Sequence, residues 1–420
     1  MARRDLLVGG AAALVLASAC GRRARPELRD GRVVVRFWYA FGDRVRAELL
    51  ELVARYNASQ SRVLVDAVHQ GDYYECLAKL RTGIAADSAP TLSHVVCEVV
   101  PYLARAGVLE PLDDYEGARD LPFVPALEQR GTFAGSEDEP LVSIPFNRST
   151  PIVFANARLL DEAHVAPPRT WDELVTVAHA LTRGPDRWGF EVPINWWYWV
   201  AMVGQAGGRL VEPDGRMSLG GEAGERAIRF WQRLVHDERV MRPPPGSDYQ
   251  AWQSTNESFL QGRVATMWSS TAFVRYLEDN AKFPVVAAPL PRDVRASVPT
   301  GGTMFVLVRS APEAEKRAAW DFVRWMCDAE QTMEWSTRTG YMPVTTPAVE
   351  RLVERGWYAQ HPNDRVAYDQ LVAAQPWPWV PELFRVERDV VDPRLEDAVL
   401  TGRDAHALMD EARDEARRPA

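Results

Sequence analysis

Three strand ends in this sequence carry small polar residues or paired glycines: Phe146-Asn147-Arg148-Ser149-Thr150, Trp268-Ser269-Ser270-Thr271 and Thr300-Gly301-Gly302-Thr303. Hydroxyls and free backbone N–H groups at such ends suit an oxyanion or a polyol. Each alone is ordinary turn chemistry. Three of them, beside tryptophans clustered at Trp196, Trp197 and Trp199 and again at Trp377 and Trp379, define a candidate binding site. Indole faces there would stack on a sugar or cage a quaternary ammonium, whereas an isolated tryptophan such as Trp320 reads as core. Local catalytic patterns are missing. The seven histidines, at 69, 94, 164, 179, 236, 361 and 406, include no pair at metal-ligand spacing, and no H-E-x-x-H, G-x-S-x-G or G-x-x-x-x-G-K-[ST] occurs. The sequence therefore implies neither a metal nor a cofactor. A triad assembled from distant residues would escape such a scan.

Alternating strands and helices must position these residues. Val33-Val34-Val35-Arg36-Phe37-Trp38 reads as a strand, followed by Val45, Leu49, Leu52, Val53 and Tyr56 at helical spacing. A second strand over 63–68 leads through Gly71 to a helix carrying Leu77 and Leu80; a third covers 92–96, with a short helix over 102–106. This alternation predicts βα units on a mostly parallel sheet. Thr170-Trp171-Asp172-Glu173 is a capping box that opens a helix to about Leu181. Helices are expected over 224–235 and 313–333, strands over 152–155, 264–268, 285–288 and 304–308, and a polar loop over 337–346.

A chain of 420 residues exceeds one small core and calls for two lobes. With 46% hydrophobic and 25% charged residues it has the composition of a soluble globular protein, and a net charge of −9 with mixed signs argues against a nucleic-acid surface. Arg3-Arg4, an apolar run over 6–19 and Ala17-Ser18-Ala19-Cys20-Gly21 form a secretory signal peptide over 1–20 with a lipid-attachment site at Cys20. The paired arginines resemble a twin-arginine export signal. Residues 21–30 read as a polar tether. Cys76 and Cys97 could pair, leaving Cys327 free, or all three could be buried thiols.

The segments Val35 to Trp38, 145–151, 170–174, 300–302 and Thr339-Gly340-Tyr341-Met342-Pro343-Val344 carry a resemblance that covers the chain from Val33 onward. They resemble the extracellular solute-binding proteins of ABC importers, in the family that includes maltose-binding proteins, and within it the glycerol-3-phosphate/glycerophosphodiester-binding branch. The resemblance implies an α/β, two-lobed periplasmic-binding-protein fold of type II, with the ligand cleft between lobes and several hinge crossings. It implies that Tyr73, with Tyr74 as rival, holds a phosphate, and that Glu98 binds glycerol hydroxyls. Ser149 and Ser269 or Ser270 would contact ligand. Gly302, with Gly301, would offer backbone N–H to the phosphate, Tyr341 a hydroxyl and Arg388 a guanidinium, with Arg385 close enough to be mistaken for it. Trp196 and Trp197 would stack on whatever extends beyond the phosphate. Two departures bear on the substrate: Trp268 stands where a glycine is common, and residues 196–199 align only loosely with the branch.

Lobe one is expected to comprise 31–143 and 287–330, and lobe two 144–286 and 331–420. The expected function is capture of glycerol-3-phosphate or a glycerophosphodiester by a monomer, without bond chemistry. The expected site of action is outside the cytoplasm, with the lipid on Cys20 as the only membrane attachment. The partners would be ABC permease subunits with a cytoplasmic ATPase. The alternatives are an oligosaccharide ligand of maltose or trehalose type and, in another class, a secreted phosphodiesterase or glycosidase using Glu98.

Overall fold

The computed structural model describes residues 25–128, 140–246 and 248–418. The leader, Cys20 and the start of the tether lie outside the described residues. Arg32–Tyr39 runs parallel to Val63–His69 on one side and to Leu92–Val96 on the other, as the βα alternation requires. Beyond Leu92–Val96 the sheet turns antiparallel. Gly301–Leu307 pairs with Leu92–Val96 and Ile144–Ser149 pairs with Gly301–Leu307, so the expected parallel pattern holds only for the first three units. The second sheet runs Trp188–Glu191, Val264–Ser270, Pro151–Asn156, Val285–Ala288; its Pro151–Asn156 strand is antiparallel to both neighbours.

Two expected boundaries move. Ile144–Ser149, assigned to lobe two from the sequence, is a strand of the first sheet; Phe146 stacks on Phe305 with ring centroids 4.1 Å apart. The chain leaves that sheet at Thr150 and enters the second at once with Pro151–Asn156. The segment after 330 also stays with the first lobe. Ala329–Thr339 packs on Asp43–Ser59, with Arg338 ion-paired to Glu48 and Glu51, and Trp335 lies in the first lobe's core. The chain returns to the second lobe near Pro362–Asp369, where Asn363 Oδ1 accepts from Ala287 N at 2.8 Å. Helical periodicity shows that a face is buried but not which sheet buries it.

Local signals behaved as their chemistry dictates. Thr170 Oγ1 accepts from Glu173 N at 3.1 Å, while Glu173 reaches back one residue further than the usual box, to Arg169 N at 2.7 Å. The single helix expected over 313–333 is two, Glu313–Met326 and Ala329–Thr339. Asp328 between them is extended (φ −62°, ψ 148°) at the N-cap position, a place where aspartate is favoured over helix interior. Part of the tether is also ordered, since Leu28–Arg29 pairs back on Arg32–Tyr39.

One core lies around the first sheet, with Phe37, Phe305 and Phe322. Another surrounds Trp196–Gln205, Glu222–Gln232 and the C-terminal helices, and draws in Leu80 and Val99 from the first lobe. Leu383–Arg385 packs directly on Cys97–Val99, so the two lobes meet through the C-terminal segment. Cys76, Cys97 and Cys327 are free buried thiols; Cys76 and Cys97 do not pair.

Candidate functional site

Tyr73 opens the helix Tyr73–Ala85, whose N-cap Asp72 accepts from Tyr74 N and Glu75 N, both at 2.8 Å. That cap fixes the first turn and so the direction of both tyrosines. Tyr73 Oη lies 3.0 Å from Tyr341 Oη and accepts from Asn147 Nδ2 at 3.1 Å. Behind Asn147 runs a buried relay. Ala40 N donates to His94 Nε2 at 2.8 Å, which leaves the proton of a neutral ring on Nδ1. His94 Nδ1 then donates to Thr303 Oγ1 at 3.1 Å, and Thr303 Oγ1 donates to Asn147 Oδ1. Burial pushes the His94 pKa down to about 3, which keeps the ring neutral and the relay in one direction. Tyr341 is stacked on Trp335 at 6.0 Å, and burial raises the pKa of both tyrosine hydroxyls, which therefore stay protonated donors.

The glycine-rich strand passes beside this pair. Gly301 is opposite Ser149 and Gly302 opposite Arg148, with a bulge before Met304. Gly302 has φ +97°, and a Cβ there would sit 1.8 Å from Asn147 O. A Cβ on Gly301 would meet the Trp197 indole at 2.7 Å, so Trp197 lies directly on this backbone. Asn195 caps the Trp-rich helix through Trp197 N and Tyr198 N. Ser269 and Ser270 pair with Ile152 and Pro151, just past the crossover. Ser269 donates to Asn256 Oδ1 at 3.1 Å, and Ser270 Oγ accepts from Ala272 N at 3.2 Å. Trp199 is different: it is fully buried, with its N–H on Gly224 O at 3.0 Å, and it fills core.

Charge gathers on the other side. Glu98 is 4% exposed, and burial raises its pKa to about 7 against the opposing pull of Arg148. Arg148 is itself fully buried and donates to Thr300 Oγ1 at 2.7 Å. Arg388 lies with its guanidinium carbon 4.0 Å from the Tyr74 ring centroid and donates to Asp392 Oδ2 at 3.1 Å. Asp392 Oδ1 in turn accepts from Trp196 N at 2.6 Å, and Trp196 meets Trp377 edge-on at 5.4 Å. Trp377 closes the circuit with an N–H to Thr300 O at 2.6 Å. Arg385 points elsewhere, toward the carbonyls of Ala416 and Arg418.

Several predicted residues come together locally: Tyr73 beside Tyr341, Arg388 over Tyr74, Gly301 against Trp197 and Gly302 against Asn147, while Ser269 and Ser270 bond to Asn256 and Ala272. Sequence reading missed Asn147, Arg148, His94 and Thr303. Asn147 and Arg148 lay inside a motif it singled out, but every residue of Ile144–Ser149 is buried, so alternation gave no inward face to choose. A separate groove beside the Thr170 cap is lined by Arg226, Arg229, Arg233 and Arg292. It is a weaker candidate, because Arg226, Arg229 and Arg233 are already ion-paired to Asp293, Glu225 and Glu238.

Residues 51–363 match the bacterial extracellular solute-binding protein family. The chain belongs to that family. Its members bind small ligands outside the cytoplasm and work with the permease and ATPase subunits of ABC importers. No helix among the described residues is long and apolar enough to cross a membrane. The sn-glycerol-3-phosphate-binding periplasmic protein UgpB of Yersinia pseudotuberculosis is 25% identical over 392 residues, 87% of each chain. Its counterpart in Pectobacterium atrosepticum is 23% identical over 395 residues, 87% of this chain and 86% of that one. UgpB from Mycobacterium tuberculosis, solved with glycerophosphocholine, superposes with TM-score 0.80 at 23% identity over 92% of this chain and 98% of the other. The GacH receptor of Streptomyces glaucescens, solved unliganded and with acarbose, gives TM-score 0.80 at 20% identity over 91% and 97%. These likenesses establish the two-lobed fold.

Proposed function

We propose that this solute-binding protein captures glycerol-3-phosphate or a glycerophosphodiester such as glycerophosphocholine between its lobes and delivers it to a permease. The observation that carries the reading is the placement of Arg388 over Tyr74, next in the chain to Tyr73, whose hydroxyl lies 3.0 Å from that of Tyr341. A guanidinium, phenol hydroxyls and backbone N–H groups match the oxygens of a phosphate. Glu98, as carboxylate, accepts from hydroxyls of the glycerol end. Relatives named for glycerol-3-phosphate and a neighbour holding glycerophosphocholine support the same choice.

A second reading, an oligosaccharide ligand, is favoured by the Trp197 indole lying on Gly301 and by neighbours solved with acarbose or maltose. A melting-temperature screen separates the two, since a bound ligand stabilises by mass action. Stabilisation by glycerol-3-phosphate or glycerophosphocholine without product formation supports the proposal. Stabilisation only by disaccharides supports the second reading, and turnover would point to a hydrolase.

The protein acts as a monomer held to the membrane by lipid on Cys20. Cys20→Ser should move it from the membrane to the soluble fraction. Wild-type protein found wholly soluble, with an N-terminus other than residue 20, would end the lipid assignment.

A further inference from the structure

Glu387 is a titratable group in this region that the proposed function leaves unused. It lies in Val386–Val391, a segment wound as a π-helix between Leu383–Arg385 and Asp392–Thr401. Single π turns inside helices recur at functional sites because they re-aim one side chain. Glu387 is 1% exposed, and neither carboxyl oxygen has a hydrogen-bond partner among the described residues. A buried carboxyl with neither oxygen hydrogen-bonded is costly even when it is protonated. Buried polar atoms without partners in a native fold call for an explanation, and a ligand is one of the few available.

Its surroundings say where such a ligand would be. The Leu383–Arg385 turn just before it packs on Cys97–Val99, which carries Glu98 from the other lobe. Glu98 and Asp392 both act electrostatically on Glu387, and burial and these two groups all favour its protonated form. Asp392 is occupied by Arg388 and Trp196 N. Arg148 pulls on Glu98. Glu98 and Glu387 are therefore two buried carboxyls carried by segments of opposite lobes that pack on one another.

We propose that Glu387 is a second solute-contacting group of the interlobe site, bracketing the hydroxyl-bearing end of a polyol together with Glu98. A hydroxyl both donates and accepts, so it can bridge a carboxylate on one lobe and a carboxylic acid on the other. A polyol between the two replaces repulsion with two hydrogen bonds. This contact then favours lobe closure only when solute is present, which is the differential affinity that closure requires. The proposal takes the location of the site from the proposed function, but it holds for a glycerol or a sugar alike.

Glu387→Met and Glu387→Gln test it. Each variant and the wild type are melted without solute, then titrated with whichever of glycerol-3-phosphate, glycerophosphocholine, maltose and trehalose binds the wild type. The Met variant should melt higher than wild type without solute, because an unpaired buried carboxyl has gone, yet bind solute at least tenfold more weakly. The Gln variant should fall between. Wild-type affinity in the Met variant overturns the proposal. So does a lower solute-free melting temperature that Gln rescues, which marks a structural group. Loss confined to glycerophosphocholine would reassign Glu387 to the cationic headgroup and also overturn it. If the wild type bound none of the four, the functional reading would fail, and the solute-free melts would still decide for or against Glu387.

Discussion

The two ends of the cleft are built on opposite terms. At the Tyr73 end buried polar groups are chained one to the next, from Ala40 N through His94, Thr303 and Asn147 to the two tyrosine hydroxyls. At the Glu98 end two carboxyls, Glu98 and Glu387, are buried on neighbouring segments, and Glu387 has no hydrogen-bond partner among the described residues. Satisfied networks rigidify, and frustrated ones store a cost that only a partner relieves. In the proposed site the first end is therefore the fixed template, and the second the place where solute binding would be coupled to stability. Ligand sites commonly sit between domains that hinge, and here the fixed end lies within the first lobe while the other end joins segments of both.

Breaking the template is the harshest test. Gly302→Ala forces a side chain at φ +97° into the carbonyl of Asn147, so the strand pair carrying Asn147 and Arg148 must separate. Urea unfolding should show a loss of about 3–5 kcal/mol, with binding abolished; a near-normal midpoint would mean the bulge is slack. Next is Arg388→Ala, which should weaken a phosphorylated ligand by about 2–4 kcal/mol while sparing neutral polyols. Arg385→Ala should leave affinity unchanged, because its guanidinium is committed to Ala416 and Arg418. A reversal of that pair in calorimetry would place the phosphate one helical turn away.

The charged end is sharpened by pH. Glu98 has its folded-state pKa raised to about 7, so folding favours its protonated form. Below the unfolded value both states are neutral and nothing is lost. As pH rises from there through about 7 the folded state loses stability, by up to about 3 kcal/mol. Glu98→Gln removes that loss, so its melting temperature should pull ahead of wild type over that window and then run parallel. Glu191, also raised to about 7 by burial, remains in both proteins and cancels in the difference. A constant gap at every pH would mean Glu98 is already ionised in the fold. Smallest is Tyr73→Phe, which removes the hydroxyl that links Asn147 to Tyr341 and should cost about 1 kcal/mol of binding; no change would confine the relay to stability.

Much of this was legible in the sequence. The capping box at Thr170, the first three βα units and the three polar strand ends are local patterns, and local chemistry decides them. Arg388 and Glu98 became visible only through resemblance, since a lone arginine beside Asp389 reads equally well as a surface ion pair. Lobe membership was misread for Ile144–Ser149 and Ala329–Thr339 because pairing partners lie far away in sequence, at Gly301–Leu307 and Asp43–Ser59. The relay and Glu387 were invisible for a related reason. A buried carboxylate and a solvated one are the same letter, and only the neighbours brought by the fold distinguish them.

The most direct test is calorimetric titration of the purified wild-type protein with glycerol-3-phosphate, glycerophosphocholine, maltose and trehalose under one buffer. The account predicts saturable one-to-one binding of at least one phosphorylated glycerol, no product, and no heat from the disaccharides. Binding of a disaccharide with neither phosphorylated glycerol bound would contradict it, and would return Arg388 to an ion pair that merely holds Asp392 beneath the tryptophan helix.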